Sequence, residues 1–460
     1  MEYSTSSQIF TTMNKIRSLS RIILSFALPI SISQTVQCQP VDSVFSLKSS
    51  IEYSLKNNAS STIYSNEVEI ARQKNIQALS AYLPQVGGTF TSDFNPKLQT
   101  NIITVAGQEQ TLTFGQRHSN GAVVQLDQKI YDQSAIEAIS ARKVNNTIAQ
   151  LNILKNNEIL IYNTSLAYYQ VLIYNEQEKL LRENEKQYKE LLSILKLQYE
   201  RGVIRKIDFD RTRVSANNIT SQITLVQTNK KLALNRLKNA MGMPLENEIR
   251  VEDSSYTTSK ADLPKAAQFD ISSRLDYKIM NQNILYQEID VKIKRAAFAP
   301  VLSAYARYGV NAFGSEFSNS FNKLYDYSAI GVKLNVPIFS GFNKSSQLKQ
   351  SKLALINARE NAKLIMQNYK LDYENANTKL LNSYTSLDKD KENLALAKEV
   401  FETTNLQYRQ GTASLTDFLN ADYSLKEAQS NYINSLLNFM SARVDYEKSQ
   451  GTLPAYINQL

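Results

Sequence analysis

The chain has 460 residues, of which 21% are charged and 42% belong to the hydrophobic set, a balance that excludes both a disordered chain and a bundle of membrane helices. One Cys and one His exclude an internal disulfide framework, a Cys-based metal site and a His-pair site within the chain. The net charge of +9 is scattered among acidic residues, which marks solvated surfaces and not a nucleic-acid footprint.

Lys15, Arg17 and Arg21 precede an apolar segment from Ile22 to Ile32, followed by Ser31, Ser33 and Gln34. A basic head, a short apolar core and a small-x-small site make residues 1–33 a secretory signal. The apolar core is shorter than the roughly 20 residues a membrane helix needs. Met13 is an alternative start. Cys38 is a candidate lipidated N-terminus, although Gln37 stands where a small residue is expected.

A helix is predicted from Leu47 to Tyr82, ending at Pro84, and a second from about Ser272 to Ala297, ending at Pro300. AYLPQV (81–86) resembles AFAPVL (297–302). After each proline the hydrophobic period changes to two. Val86, Gly88, Phe90, Ser92 and Phe94 share one face of 86–94, and Ala122, Val124 and Leu126 one face of 122–130. Leu302, Ala304, Ala306, Tyr308 and Val310 share a face of 301–313, and Ile330, Val332, Leu334, Val336 and Ile338 a face of 328–338. These are four strands in two hairpins, with polar loops near 95–111 and 314–325. Each has about the 9–11 residues of a tilted transmembrane strand, but a soluble sheet with one wet face shows the same alternation. Four strands cannot close a barrel, and open edges are not tolerated in lipid, so membrane strands would have to be pooled by several chains. With no Trp, interfacial anchoring falls to residues such as Phe313, Phe317, Phe321, Tyr325 and Tyr327.

Long helices follow each second strand, from about Gln133 to Glu200 and from about Lys344 to Gln410. Each return helix begins after a bend, at about Asp208 and at Leu415. The bends are copies: QYERGVIRKIDF (198–209) and QYRQGTASLTDF (407–418). Gly202 maps to Gly411 and Asp208 to Asp417 with one constant shift. Each Gly suits the left-handed end of a helix, and each Asp the first turn of the next. Ser414 and Asp417 have capping-box spacing. In the last helix Phe418, Leu425, Tyr432, Phe439 and Tyr446 repeat every seven residues as a coiled-coil seam. Its counterpart, Phe209, Ala216, Ile223, Lys230 and Leu237, is weaker. The units are therefore a signal (1–33), a first repeat (34–244), a polar and partly extended linker (245–270), a second repeat (271–450) and a tail (451–460).

No phosphate loop, nucleophile elbow or metal-ligand cluster appears, so no enzyme activity and no cofactor are expected. His118 reads as a loop or strand-surface residue.

With the duplication, the strand pairs and the Gly–Asp bends together, the chain resembles the TolC-like outer-membrane efflux proteins. LKSSIEYSLKNN (47–58) looks like that family's first helix, Arg274-Leu275-Asp276 its RPDL-like repeat start without the proline, and Ile338-Phe339-Ser340-Gly341 its strand-to-helix passage. The resemblance implies a mainly α fold with membrane β. In it, duplicated long helical hairpins form a trimeric α-helical tube, and four strands per chain enter a shared twelve-stranded outer-membrane barrel. It implies a Gram-negative outer-membrane location, with a large periplasmic portion. It implies passive conduction for an inner-membrane pump of the RND, ABC or MFS type, through a periplasmic adaptor (membrane fusion) protein. Gly202, Asp208, Gly411 and Asp417 would form the periplasmic tip that contacts the adaptor. Asp417 would be either a pore-constriction residue able to bind cations or a helix-start residue only. Arg205 in the slot of Ser414, and Asn420 where a second acid would stand, depart from an acidic ring. The competing reading is an exported periplasmic coiled-coil adaptor or scaffold.

Overall fold

The computed structural model describes residues 44–105, 108–252 and 269–459. The signal segment, Met13, Cys38 and residues 253–268 of the linker lie outside the described residues. The helices are α1 (Leu47–Asn57), α2 (Ala59–Ser80), α3 (Gln133–Glu200), α4 (Lys206–Met241), α5 (Leu275–Ala296), α6 (Asn343–Arg409), α7 (Leu415–Gln450) and a short α8 (Leu453–Gln459). α3 has 68 residues and α6 has 67, each roughly 100 Å long. Neither contains a Gly or Pro to interrupt it. Among the described residues, no helix is long and apolar enough to cross a membrane.

The single helix expected over 47–82 is two. Asn58 leaves helical geometry (φ −68°, ψ 131°), and its side-chain oxygen accepts from the Ser60 N–H at 3.0 Å, starting α2. The same amide donates to the Ala240 carbonyl at 3.1 Å, as the Ser54 hydroxyl does at 2.9 Å. Asn58 thus caps the start of α2 and the end of α4 together.

Gly242 (φ +72°) closes α4, and a Cβ there would lie 2.7 Å from the Asn58 Cα. Gly451 (φ +77°) closes α7, and a Cβ there would lie 3.2 Å from the Cα of Arg274, the residue that precedes α5. So α4 ends against the start of α2, and α7 ends against the start of α5. α3 packs along both α2 and α4, and α6 along both α5 and α7. Two short strands, β1 (Val44–Phe45) and β6 (Arg250–Val251), pair in parallel.

The remaining strands are β2 (Gln85–Phe94), β3 (Gln99–Val105), β4 (Gln108–Phe114), β5 (His118–Asp132), β7 (Val301–Gly314) and β8 (Leu324–Asn335). Four of them form one antiparallel sheet in the order β2-β5-β7-β8, which joins the two repeats between β5 and β7. Opposed residues share a face. Val86 opposes Leu126, Leu126 opposes Ala306, and Ala306 opposes Ile330. The four alternations predicted from sequence therefore fall on one continuous apolar face. That face is bare: Phe90 is 64% exposed and Ile330 89%. The other face carries Asp93, Gln125, Asp127, Arg307 and Lys333. On it Tyr327 and Tyr305 lie over Gly309 and Gly331, where an added Cβ would come within 2.7 Å of the Tyr327 ring and 2.8 Å of the Tyr305 hydroxyl.

Three details correct the sequence reading. The expected loop 95–111 contains β3 and most of β4, which pair from Gln99↔Phe114 to Val105↔Gln108. Val336 and Ile338 lie beyond the end of β8. Phe313, Tyr325 and Tyr327 oppose Ser119, Asn311 and Gly309, which puts them on the polar face. The aromatic group at that end of the apolar face is instead Phe94 stacked on His118 (4.9 Å), with Phe317 edge-on to the imidazole (5.8 Å) and Phe321 behind it.

Candidate functional site

The two bends have one backbone. At the first, Gly202 N–H donates to the Tyr199 carbonyl (2.9 Å) and Val203 N–H to that of Gln198 (2.8 Å). At the second, Gly411 N–H donates to Tyr408 (3.0 Å) and Thr412 N–H to Gln407 (2.9 Å). This paired pattern, closed by a left-handed residue, is the Schellman motif. Gly202 (φ +74°) and Gly411 (φ +78°) supply that conformation, and an added Cβ would meet nothing within 4 Å at either. Glycine is required here by backbone angle and not by space.

The next helices start differently. Ser414 and Asp417 cap each other: Asp417 N–H donates to Ser414 Oγ (3.2 Å), and Ser414 N–H and Oγ–H donate to Asp417 Oδ2 (3.1 and 2.6 Å). These bonds, the hydroxyl first, hold the Asp417 carboxyl below its ordinary range. Arg205 makes no cap; its guanidinium instead holds Asp208, Nε to Oδ2 at 3.0 Å. Both aspartates are thus engaged in starting helices.

The structure brings the two bends together. Leu191 and Leu195 of α3, Phe401 of α6, and Phe418 and Leu425 of α7 form one buried cluster, with Ile204 and Phe209 of the first bend packed against it. Phe418 sits 5.4 Å from Tyr408 and 5.6 Å from Phe401. Burial, and then the nearby Asp208 carboxylate, push the Tyr408 phenol up.

Above this cluster the hairpins meet along α3 and α7 through polar groups that the sequence reading missed. The Tyr188 hydroxyl donates to Asp422 Oδ2 at 2.5 Å, and Lys426 Nζ donates to the same oxygen at 2.6 Å while lying 4.4 Å over the Tyr188 ring. Asn184 donates to Gln429 at 2.9 Å. Further along, the Tyr162 hydroxyl and Lys379 Nζ both donate to Asp445, at 2.8 and 3.0 Å. A signal for them existed. Asp422 and Gln429 are polar residues directly beside the seam, each one residue past its second position, Ala421 and Ala428. In α4 the buried face is Thr212, Ile219, Val226 and Ala233, with Ile223 and Leu237 from the expected seam.

A sheet with one bare apolar face, carried on two long helical hairpins that meet at paired bends, is the architecture of an outer-membrane channel protomer. Two solved structures share it at low identity: the CmeC outer membrane channel of Campylobacter jejuni (TM-score 0.73, 18% identity, 90% of this chain and 88% of that one) and the outer membrane protein VceC of Vibrio cholerae (TM-score 0.71, 16% identity, 88% and 96%). Residues 64–243 and 282–452 match the outer membrane efflux protein family model, and the chain belongs to that family. Among relatives, outer membrane protein TolC of Escherichia coli K12 is 21% identical over 412 residues, which is 84% of this chain and 78% of TolC. The protein is thus an outer-membrane efflux component with the membrane β and long periplasmic helices expected from its sequence.

Proposed function

We propose that three copies of this chain form an exit duct that passes substrates from an inner-membrane pump across the periplasm and outer membrane. The observation that carries the reading is the four-stranded sheet, which has a bare apolar face and, among the described residues, unpaired outer edges on β2 and β8. Edges of that kind are not viable in lipid, and three sheets joined edge to edge make a closed twelve-stranded barrel. The helices support the same closure. Val214, Leu225 and Leu232 on α4, and Leu364, Leu371 and Leu406 on α6, are large apolar residues left exposed on the two outermost helices of the paired hairpins. In this reading Gly202, Asp208, Gly411 and Asp417 lie at the periplasmic tip, which docks an adaptor (membrane fusion) protein. Asp417, exposed beside the second bend, is the constriction candidate. A pump of the RND, ABC or MFS type supplies the energy, and opening is a population shift of the tip helices toward the state that adaptors bind more tightly. The competing scaffold reading gives no role to the bare sheet face.

Two measurements test this on purified protein. Light scattering in detergent is expected to give three chains per particle. Planar-bilayer recording is expected to show discrete openings, with conductance or cation block altered in Asp417→Ala. Openings that Asp417→Ala leaves unchanged keep the duct and remove Asp417 from its constriction. Protein that stays soluble without detergent and conducts nothing overturns the duct.

A further inference from the structure

Lys230 occupies a seam position of α4, and the duplication shows what belongs there. Its counterpart in α7 is Phe439, buried and packed 5.9 Å from the ring of Tyr384. Leu387, one turn along α6 from Tyr384, is also buried. In the first hairpin the residues matching Tyr384 and Leu387 are Asn175 and Glu178. The second hairpin is closed by apolar packing where the first, among the described residues, is open. Its place is taken by a groove of about 610 Å³ between α3 and α4, bordered at one end by β6.

The groove has two kinds of wall. Val171, Ile249 and Val251 form a buried apolar floor, joined by Leu234. Glu178 is fixed by Arg182 (2.7 Å), Lys230 (3.0 Å) and Gln227 (3.1 Å). Burial alone would raise its carboxyl, but these bonds outweigh burial and hold it down at about 2. Around it Lys179, Lys186 and Arg250 have no ion-pair partner among the described residues, against one such acid, Glu183. An apolar floor under a cationic rim, at a place where the sister hairpin is filled, is not required by the fold.

We propose that this groove docks an acidic amphipathic helix of a periplasmic partner protein, with apolar side chains on the floor and carboxylates on Lys179, Lys186 and Arg250. The site is distinct from the bends. Val171 lies roughly 60 Å along α3 from the sheet, which puts lipid headgroups out of reach. Charge complementarity alone would admit an anionic glycan, but the apolar floor favours a peptide with an apolar stripe.

The test uses the full-length protein in detergent and a fluorescent helical peptide built from Leu at i, i+3, i+4 and i+7 with Glu elsewhere. A Leu/Lys peptide of the same pattern and soluble peptidoglycan fragments are the comparison ligands. One variant, Lys179→Glu/Lys186→Glu/Arg250→Glu, reverses the rim. The other, Glu178→Leu/Lys230→Phe, copies the packing of the second hairpin into the groove. Saturable binding of the Leu/Glu peptide, weakened at least about tenfold by either variant, is expected. Equal binding to wild type and both variants, no binding, or preference for the Leu/Lys peptide or the glycan overturns the proposal. So does a change in particle mass in either variant, which would make the groove a contact between copies of this chain.

Discussion

Removing one hydroxyl between the hairpins should open the duct. Tyr188 is buried, its phenol donates to Asp422 at 2.5 Å, and Lys426 completes the group from the same helix as Asp422. Burial, then the Asp422 carboxylate, push the phenol far up, so it remains a donor at any working pH. Tyr188→Phe keeps the ring and the Lys426 contact and deletes the hydrogen bond to the charged Asp422, a loss of about 1.5–3 kcal/mol per chain, together with the one to Ser215 of α4 in its own hairpin. Opening that parts α3 from α7 breaks the Asp422 bond and leaves the Ser215 one, so the Asp422 part of the loss falls on the closed state. At tenfold per 1.4 kcal/mol, the opening equilibrium should rise by about ten- to a hundredfold for each chain. Open probability in planar bilayers reads this directly, and Tyr188→Phe should add nothing in an Asp422→Ala background. An unchanged open probability, or effects that simply add, would refute the reasoning that this contact latches the tip.

Other outcomes follow from the same geometry. Gly202→Ala and Gly411→Ala should each cost about 1–2 kcal/mol, from backbone angle alone. Gly242→Ala should cost more, because its Cβ would strike the Asn58 backbone at 2.7 Å; thermal inactivation of the three variants checks the order. Ile330→Arg on the apolar face should destabilise the membrane-inserted protein by about 2–4 kcal/mol, and Ala329→Arg on the opposite face far less, by urea titration in lipid vesicles. The carboxyl of Asp417 is depressed in the folded chain, so the support it gives the bend is complete above about pH 4 and lost as pH falls through the lowered value. Amide-exchange protection at Ser414 should fall on acidification, and a flat profile in wild type would contradict the capping box.

The strands and long helices were legible because one physical rule governs each over many residues. Period-two alternation in 86–94, 122–130, 301–313 and 328–338 has a single solution once one face must be apolar, and the observed register joins all four. The bends were legible because Gly202 and Gly411 are needed for their φ, a constraint local to the residue. Features set by distant partners were not. The break at Asn58 depends on the Ala240 carbonyl, far along the chain, and the apolar periodicity of 47–82 runs straight through it. Asp422 was visible beside the seam, but its meaning needed Tyr188 from the other hairpin. Lys230 was visible as a flaw in a heptad, and only Glu178 opposite makes it a design. The aromatics near 313–327 were assigned by type, whereas register decides which face each one occupies.

The end-to-end contacts at Gly242 and Gly451 splice each return helix onto the helix above it. α3 and α6 run unbroken past the joint, while α4 and α7 stop at Asn58 and Arg274, where Asn58 and Ser54 donate to the Ala240 carbonyl (3.1 and 2.9 Å) and Arg274 and Ser273 to the Ser449 and Gln450 carbonyls (3.0 and 2.6 Å). Glycine at each joint lets the two rods seat within van der Waals distance, and the hydrogen bonds across it pin their ends together. Movement of the return helices that leaves these bonds intact must bend α4 and α7 below their pinned ends, and it then leaves α2, α5 and the strands above unturned. A barrel in lipid can stay still while its far end moves.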